Sequence, residues 1–160
     1  MKFYIYTGLS VMVLAVGVLS ACSSDDDNTP AETTDAGADT GPGTYTPFPG
    51  DPLMTVLGDN GLLNVAIRTD PQPLTRLQNS MELTVTDNAG NPVDGLTISI
   101  NPNMPSMGHG SPKTTPLFDA QGNGKYLNTN VYFQMMGPWQ LDITFTGTVA
   151  DHVAPMVDIP

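Results

Sequence analysis

The sequence predicts an all-β domain, an antiparallel two-layer β-sandwich that follows an export signal and a disordered linker. Three observations carry that prediction. Apolar residues in the second half of the chain recur at every second position, turn-forming residues separate the runs, and nothing downstream of the leader has the spacing of an amphipathic helix.

Leu63, Val65 and Ile67 alternate with Asn64, Ala66 and Arg68, and Leu83 and Val85 alternate with Glu82, Thr84 and Thr86. Ile98 and Ile100 alternate with Thr97 and Ser99. Val131, Phe133 and Met135 repeat the pattern, as do Trp139, Leu141, Ile143 and Phe145 around Gln140, Asp142 and Thr144. Successive side chains of a strand point to opposite faces, so each run is expected to be a strand with one dry and one wet face. Asp87-Asn88-Ala89-Gly90-Asn91-Pro92, Asp94-Gly95, Gln121-Gly122-Asn123-Gly124 and Gly137-Pro138 are read as the turns between them. Trp139 and its alternating partners are expected to fill the space between two sheets.

The N-terminus reads as a leader. Met1-Lys2 supplies a short positive region, and Gly8 to Leu19 is an apolar run too short for a comfortable membrane span. Leu19-Ser20-Ala21-Cys22 places two small residues directly before a thiol, the pattern that bacterial lipoprotein processing uses to attach diacylglycerol. Residues 1–21 are thus expected to be a lipoprotein signal peptide, with Cys22 the lipidated first residue of the mature protein. Residues 22–44 hold almost no large apolar side chain and six acids, which makes them an extended acidic tether. Residues 45–160 form the folded domain.

Cys22 is the single cysteine, so no intrachain disulfide is available and the core must be adequate unaided. Without residues 1–21 the chain carries four basic residues against sixteen acidic ones, a formal charge of −12. Such a surface repels nucleic acid and anionic lipid head groups, so the membrane partner is reached through acyl chains. The expected location is the cell envelope, facing the periplasm or the exterior. Ser23 after the cysteine is compatible with outer-membrane sorting in a Gram-negative cell.

From Asn79 to Phe145 the chain resembles the YtkA-like family, small immunoglobulin-like domains of exported bacterial proteins related to FixH-type proteins. The resemblance lies in the strand and turn from Met81 to Val93, the strand Leu96 to Ile100 running into Asn103-Met104-Pro105-Ser106-Met107-Gly108-His109-Gly110, and Met135-Met136-Gly137-Pro138-Trp139 ahead of the last core strand. It implies an immunoglobulin-like antiparallel β-sandwich with an extracytoplasmic role and no enzyme activity. Family members often occur near metal-efflux and copper-handling systems, so a partner of that kind is implied too.

Met104, Met107 and His109 lie within six residues on a segment rich in Pro and Gly. Thioether sulfur selects Cu(I) over zinc, magnesium or calcium, and imidazole tolerates both copper states, so this set points to copper. Met135 joins it by family position, with Met136 as the fallback. Alternation puts Met135 on the same dry face as Val131 and Phe133. His152 and Met156 could add ligands only if the C-terminal tail folds back on the loop. Methionine also serves as a flexible filler of core gaps, so the same cluster reads equally as a structural loop of a metal-free interaction module. Trp139 is expected to be mainly core.

Catalysis finds no support in the residues. The cysteine is committed to lipid, no Gly-x-Ser-x-Gly elbow occurs, and two distant histidines do not make a hydrolytic zinc site. Gly122-Asn123-Gly124-Lys125 lacks the spacing of a phosphate-binding loop and reads as a hairpin turn.

Overall fold

The computed structural model describes residues 45–160. The leader, Cys22 and the tether lie outside the described residues. The described chain is all strand: β1 (Met54–Leu57), β2 (Asn64–Asp70), β3 (Leu77–Thr86), β4 (Leu96–Met104), β5 (His109–Gly110), β6 (Asp119–Gly122), β7 (Lys125–Phe133), β8 (Gly137–Gly147), β9 (Asp151–Val153) and β10 (Met156–Ile159). One sheet runs β1-β2-β3-β7-β6 and the other β10-β8-β4-β5, with β9 also on β8. All the pairings between these strands are antiparallel, which gives the expected sandwich.

Register explains how the alternating residues meet. Val65 faces Val85 and Ile67 faces Leu83 across β2 and β3. Ile98 faces Phe145 and Ile100 faces Ile143 across β4 and β8. Their buried sides form one core with Trp139, Phe133, Leu141 and Val131. Each large side chain withdrawn from water contributes about 1.5–3 kcal/mol, so this layer is the main stabilising term. Tyr126 joins it from β7, donating its hydroxyl to Val93 O at 2.9 Å. Alternation along β7 then changes phase. Asn79 pairs with Val131 but Met81 with Asn128, so β7 carries one extra residue, a bulge that turns Val131 and Phe133 inward.

Two local readings are corrected. Gly137-Pro138 is not a turn but the start of β8, opposite Ile159 and Asp158 of β10. Leu141 N donates toward the tail, to Pro155 O, so by alternation the nitrogen of Pro138 faces the β4 side beyond the last β4 partner, Asn103 opposite Gln140. A missing N–H is tolerated there. Glu82, placed on the wet face by alternation, is fully buried. It accepts bonds from the Tyr45 hydroxyl and from Phe48 N at 2.8 Å, with Lys125 at 3.5 Å and Arg68 at 3.8 Å. Burial pushes its carboxyl up, but the hydrogen bonds from Tyr45 and Phe48 and the Lys125 ammonium outweigh it and hold the group below the usual carboxylate range. The C-terminal tail lies on this sheet: β10 and β9 occupy successive stretches of one edge of β8.

The loop before β2 is pinned to β9 by a buried carboxylate. Asp151 Oδ1 accepts from Asn60 N (2.9 Å) and His152 N (2.8 Å), and Oδ2 accepts from Leu62 N and Leu63 N (both 3.1 Å). Gly58 has to be glycine because a Cβ there would lie 2.0 Å from Asp151 Oδ2.

Candidate functional site

The segment expected to be a loop is a tight hairpin. β4 runs to Met104, and the N–H groups of Met107 and Gly108 both donate to Met104 O at 3.0 Å. The chain returns as His109–Gly110. Gly108 sits at φ +66, a left-handed turn position that favours glycine. Met104 and His109 are direct cross-strand partners, which puts their Cβ atoms on one face about 4.5–5.5 Å apart.

Both side chains turn toward the end of the core. Met104 is 3 % exposed, and a Cβ on Gly137 would lie 3.5 Å from its terminal methyl, so the thioether arm passes over the start of β8. The His109 ring makes a T-shaped pair with Trp139, with centroids 6.2 Å apart at 71°. Trp139 in turn meets Phe133 at 5.3 Å. His109 Nδ1 is enclosed and has no hydrogen-bond partner.

Met135 arrives by a different route from the one alternation suggests. β7 ends at Phe133 and the chain bends through Gln134, Met135 and Met136 before β8 begins, so strand periodicity no longer governs these side chains. Trp139 Nε1 donates to Met135 O at 3.0 Å and fixes the bend beside the hairpin. Met135 and Met136 are 37 % and 61 % exposed, and Met107 on the turn is 57 % exposed. The fold thus brings Met104 and His109 together, ties the Met135 backbone to the Trp139 that His109 meets, and leaves Met107 exposed on the turn.

Neither tail candidate, His152 or Met156, joins these side chains. His152 lies opposite Thr144, with Nδ1 2.7 Å from Asp59 Oδ2 and Nε2 2.8 Å from Asp142 Oδ1. The hydrogen bonds to Asp59 and Asp142 raise its pKa. Met156 pairs with Gln140, is exposed, and alternates with the buried Val157 and Ile159, which puts it on the outer face of the sheet.

One neighbour was missed by sequence reasoning. Gln134 donates its Nε2 to Gly110 O at 3.1 Å, bridging the bend to the hairpin, while its Oε1 is enclosed without a partner. A glutamine between two hydrophobic runs carries no signal of this kind; only the end of β7 at Phe133 reveals it. Among the described residues no group of three or more His, Cys, Asp or Glu side chains is placed to hold a metal ion. A metal at this end would therefore depend on thioether sulfur.

No curated protein and no solved structure matches the chain. Residues 61–144, more than half of the chain, match the model of the YtkA-like family, beginning ahead of the stretch whose motifs resemble it. A two-sheet antiparallel sandwich carrying the Met-Pro-x-Met-Gly-His hairpin beside Trp139 agrees with that match, and the chain belongs to the YtkA-like family.

Proposed function

We propose that this protein is a membrane-anchored lipoprotein of the cell envelope that binds copper, as Cu(I), or a similar soft metal as cargo and hands it to a metal-handling or efflux partner. It is a binding protein, not an enzyme. The observation that carries the reading is the pairing of Met104 with His109 across one hairpin, with an imidazole nitrogen enclosed and unpartnered beside a thioether arm. A buried polar atom without a partner is uncommon, and an ion that takes nitrogen and sulfur would satisfy it. Met135 and Met107, both partly or largely exposed, supply further sulfur at the rim where a soft ion enters and leaves.

The test is titration of the purified chain against a competing Cu(I) chromophore. The parent is expected to retain about one copper per chain, and the combined Met104→Leu, Met107→Leu and His109→Ala variant none. Equal retention by both would dispose of the site. Anchoring at Cys22 is tested separately, by fatty-acid labelling of the parent and of Cys22→Ser in cells; equal labelling would refute it.

A second reading is favoured by one observation, the near-complete burial of Met104 in the core. On it the hairpin closes the end of the sandwich, and the exposed methionines around it meet an envelope protein without metal. Metal-independent capture of one partner from solubilised membranes, lost on Met107→Ser with Met136→Ser, would support this alternative.

A further inference from the structure

Of the three enclosed side-chain atoms that lack a hydrogen-bond partner among the described residues, one is Thr69 Oγ1 on β2 and the other two are at the methionine hairpin: His109 Nδ1 and Gln134 Oε1. Their closeness follows from the bond between Gln134 Nε2 and Gly110 O, because Gly110 is the residue after His109. That bond also settles which way the amide lies. Turned over, its oxygen would face a carbonyl oxygen, so Oε1 is the end left unpaired. A nitrogen and an oxygen, both enclosed and both unsatisfied, thus sit at the same short stretch of backbone as the Met104 thioether.

We propose that Gln134 is an oxygen donor of this site, and that its carboxamide beside the His109 imidazole lets the pocket hold copper as Cu(II) as well as Cu(I). The inference rests on the copper reading above. Thioethers alone serve Cu(I), whereas nitrogen and oxygen donors suit Cu(II), and a glutamine oxygen is a known weak ligand in copper sites. Gln134 is already held at the hairpin: its Nε2 is tied to Gly110 O, and its Oε1 is enclosed with no hydrogen-bond partner.

The experiment titrates the purified chain in two arms, one with Cu(I) and one with Cu(II), each against a competing chelator, and records the electron paramagnetic resonance of the Cu(II) arm. Parent, Gln134→Leu and Gln134→Glu are compared, with thermal melts run alongside. Gln134→Leu is expected to weaken Cu(II) binding at least about tenfold more than Cu(I) binding and to change the Cu(II) spectrum, while Gln134→Glu retains Cu(II) binding. If the leucine variant does not fold, Gln134→Asn, which draws the amide back by one carbon, is read in its place. A parent that binds Cu(I) but not Cu(II), or a Cu(II) affinity and spectrum unchanged in the leucine or asparagine variant, would overturn this proposal and leave the soft-metal site standing. A parent that binds no Cu(I) would remove both.

Discussion

Asp151→Asn is the sharpest test of how the fold is held, because the substitution preserves shape and changes only what the oxygens can accept. The native carboxylate is 4 % exposed and takes four backbone N–H groups, two on each oxygen. An asparagine has one acceptor oxygen, so two of the four donors must face an NH2 group instead. If the oxygen stays toward Asn60 and His152, the orphans are Leu62 N and Leu63 N, and Leu63 is fully buried, so its N–H has no access to water. An orphaned buried donor costs about 1–3 kcal/mol, and losing a charged acceptor adds to that; about 3 kcal/mol in all is expected. For a domain of this size that lowers the melting midpoint by about 10–20 °C. The assay is urea and thermal unfolding at pH 7 and again in acid. Burial pushes the Asp151 carboxyl up, but its four backbone bonds outweigh this and hold its pKa below the ordinary value. Its stabilisation is then present above the unfolded-state pKa and lost as pH falls through the folded one. Parent and variant should therefore converge below about pH 4. A difference under about 0.5 kcal/mol at pH 7, the size of an ordinary surface substitution, would refute the reasoning.

Gly58→Ala should be at least as damaging, because its Cβ would sit 2.0 Å from Asp151 Oδ2 and displace the carboxylate from its donors; a melting midpoint equal to the parent's would show that the loop yields freely. His152 lies between Asp59 and Asp142 with a pKa raised by its bonds to those two carboxylates. A raised folded pKa means its contribution is complete below the unfolded value and lost as pH rises through the folded one. Imidazole resonances should titrate above about pH 6.5, and Asp59→Asn or Asp142→Asn should each bring the midpoint down. A midpoint unmoved by either substitution would dissolve the proposed pair of ionic bonds.

Most of the strand core was legible because alternation is a local property. Val65, Ile67, Leu83, Val85, Ile98, Ile100, Trp139, Leu141, Ile143 and Phe145 all lie on the buried face that their spacing assigns. Where the local pattern misled, the cause was a contact that alternation does not encode. Glu82 shares the outward phase of Thr84, yet the segment carrying Tyr45 and Phe48 folds over it and completes its hydrogen bonds. Gly137-Pro138 has turn chemistry, yet β10 pairs with it along a stretch where β4 has already ended. Met135 continues the phase of Phe133, yet β7 stops and the bond from the Trp139 indole holds the chain in a bend.

The sequence by itself determined the fold class, the family, the composition of the methionine and histidine segment and the absence of any intrachain disulfide. Period, turn residues and cysteine count are written along the chain and need no contact to be read. Tertiary structure alone decided that the buried Met104 faces His109 while Met107 stands exposed, that the tail pairs along β8 with Met156 on its outer face, and that Gln134 belongs to the same end. Those facts depend on register between strands and on where each strand stops. Both are set by packing between segments far apart in sequence, which no local pattern encodes.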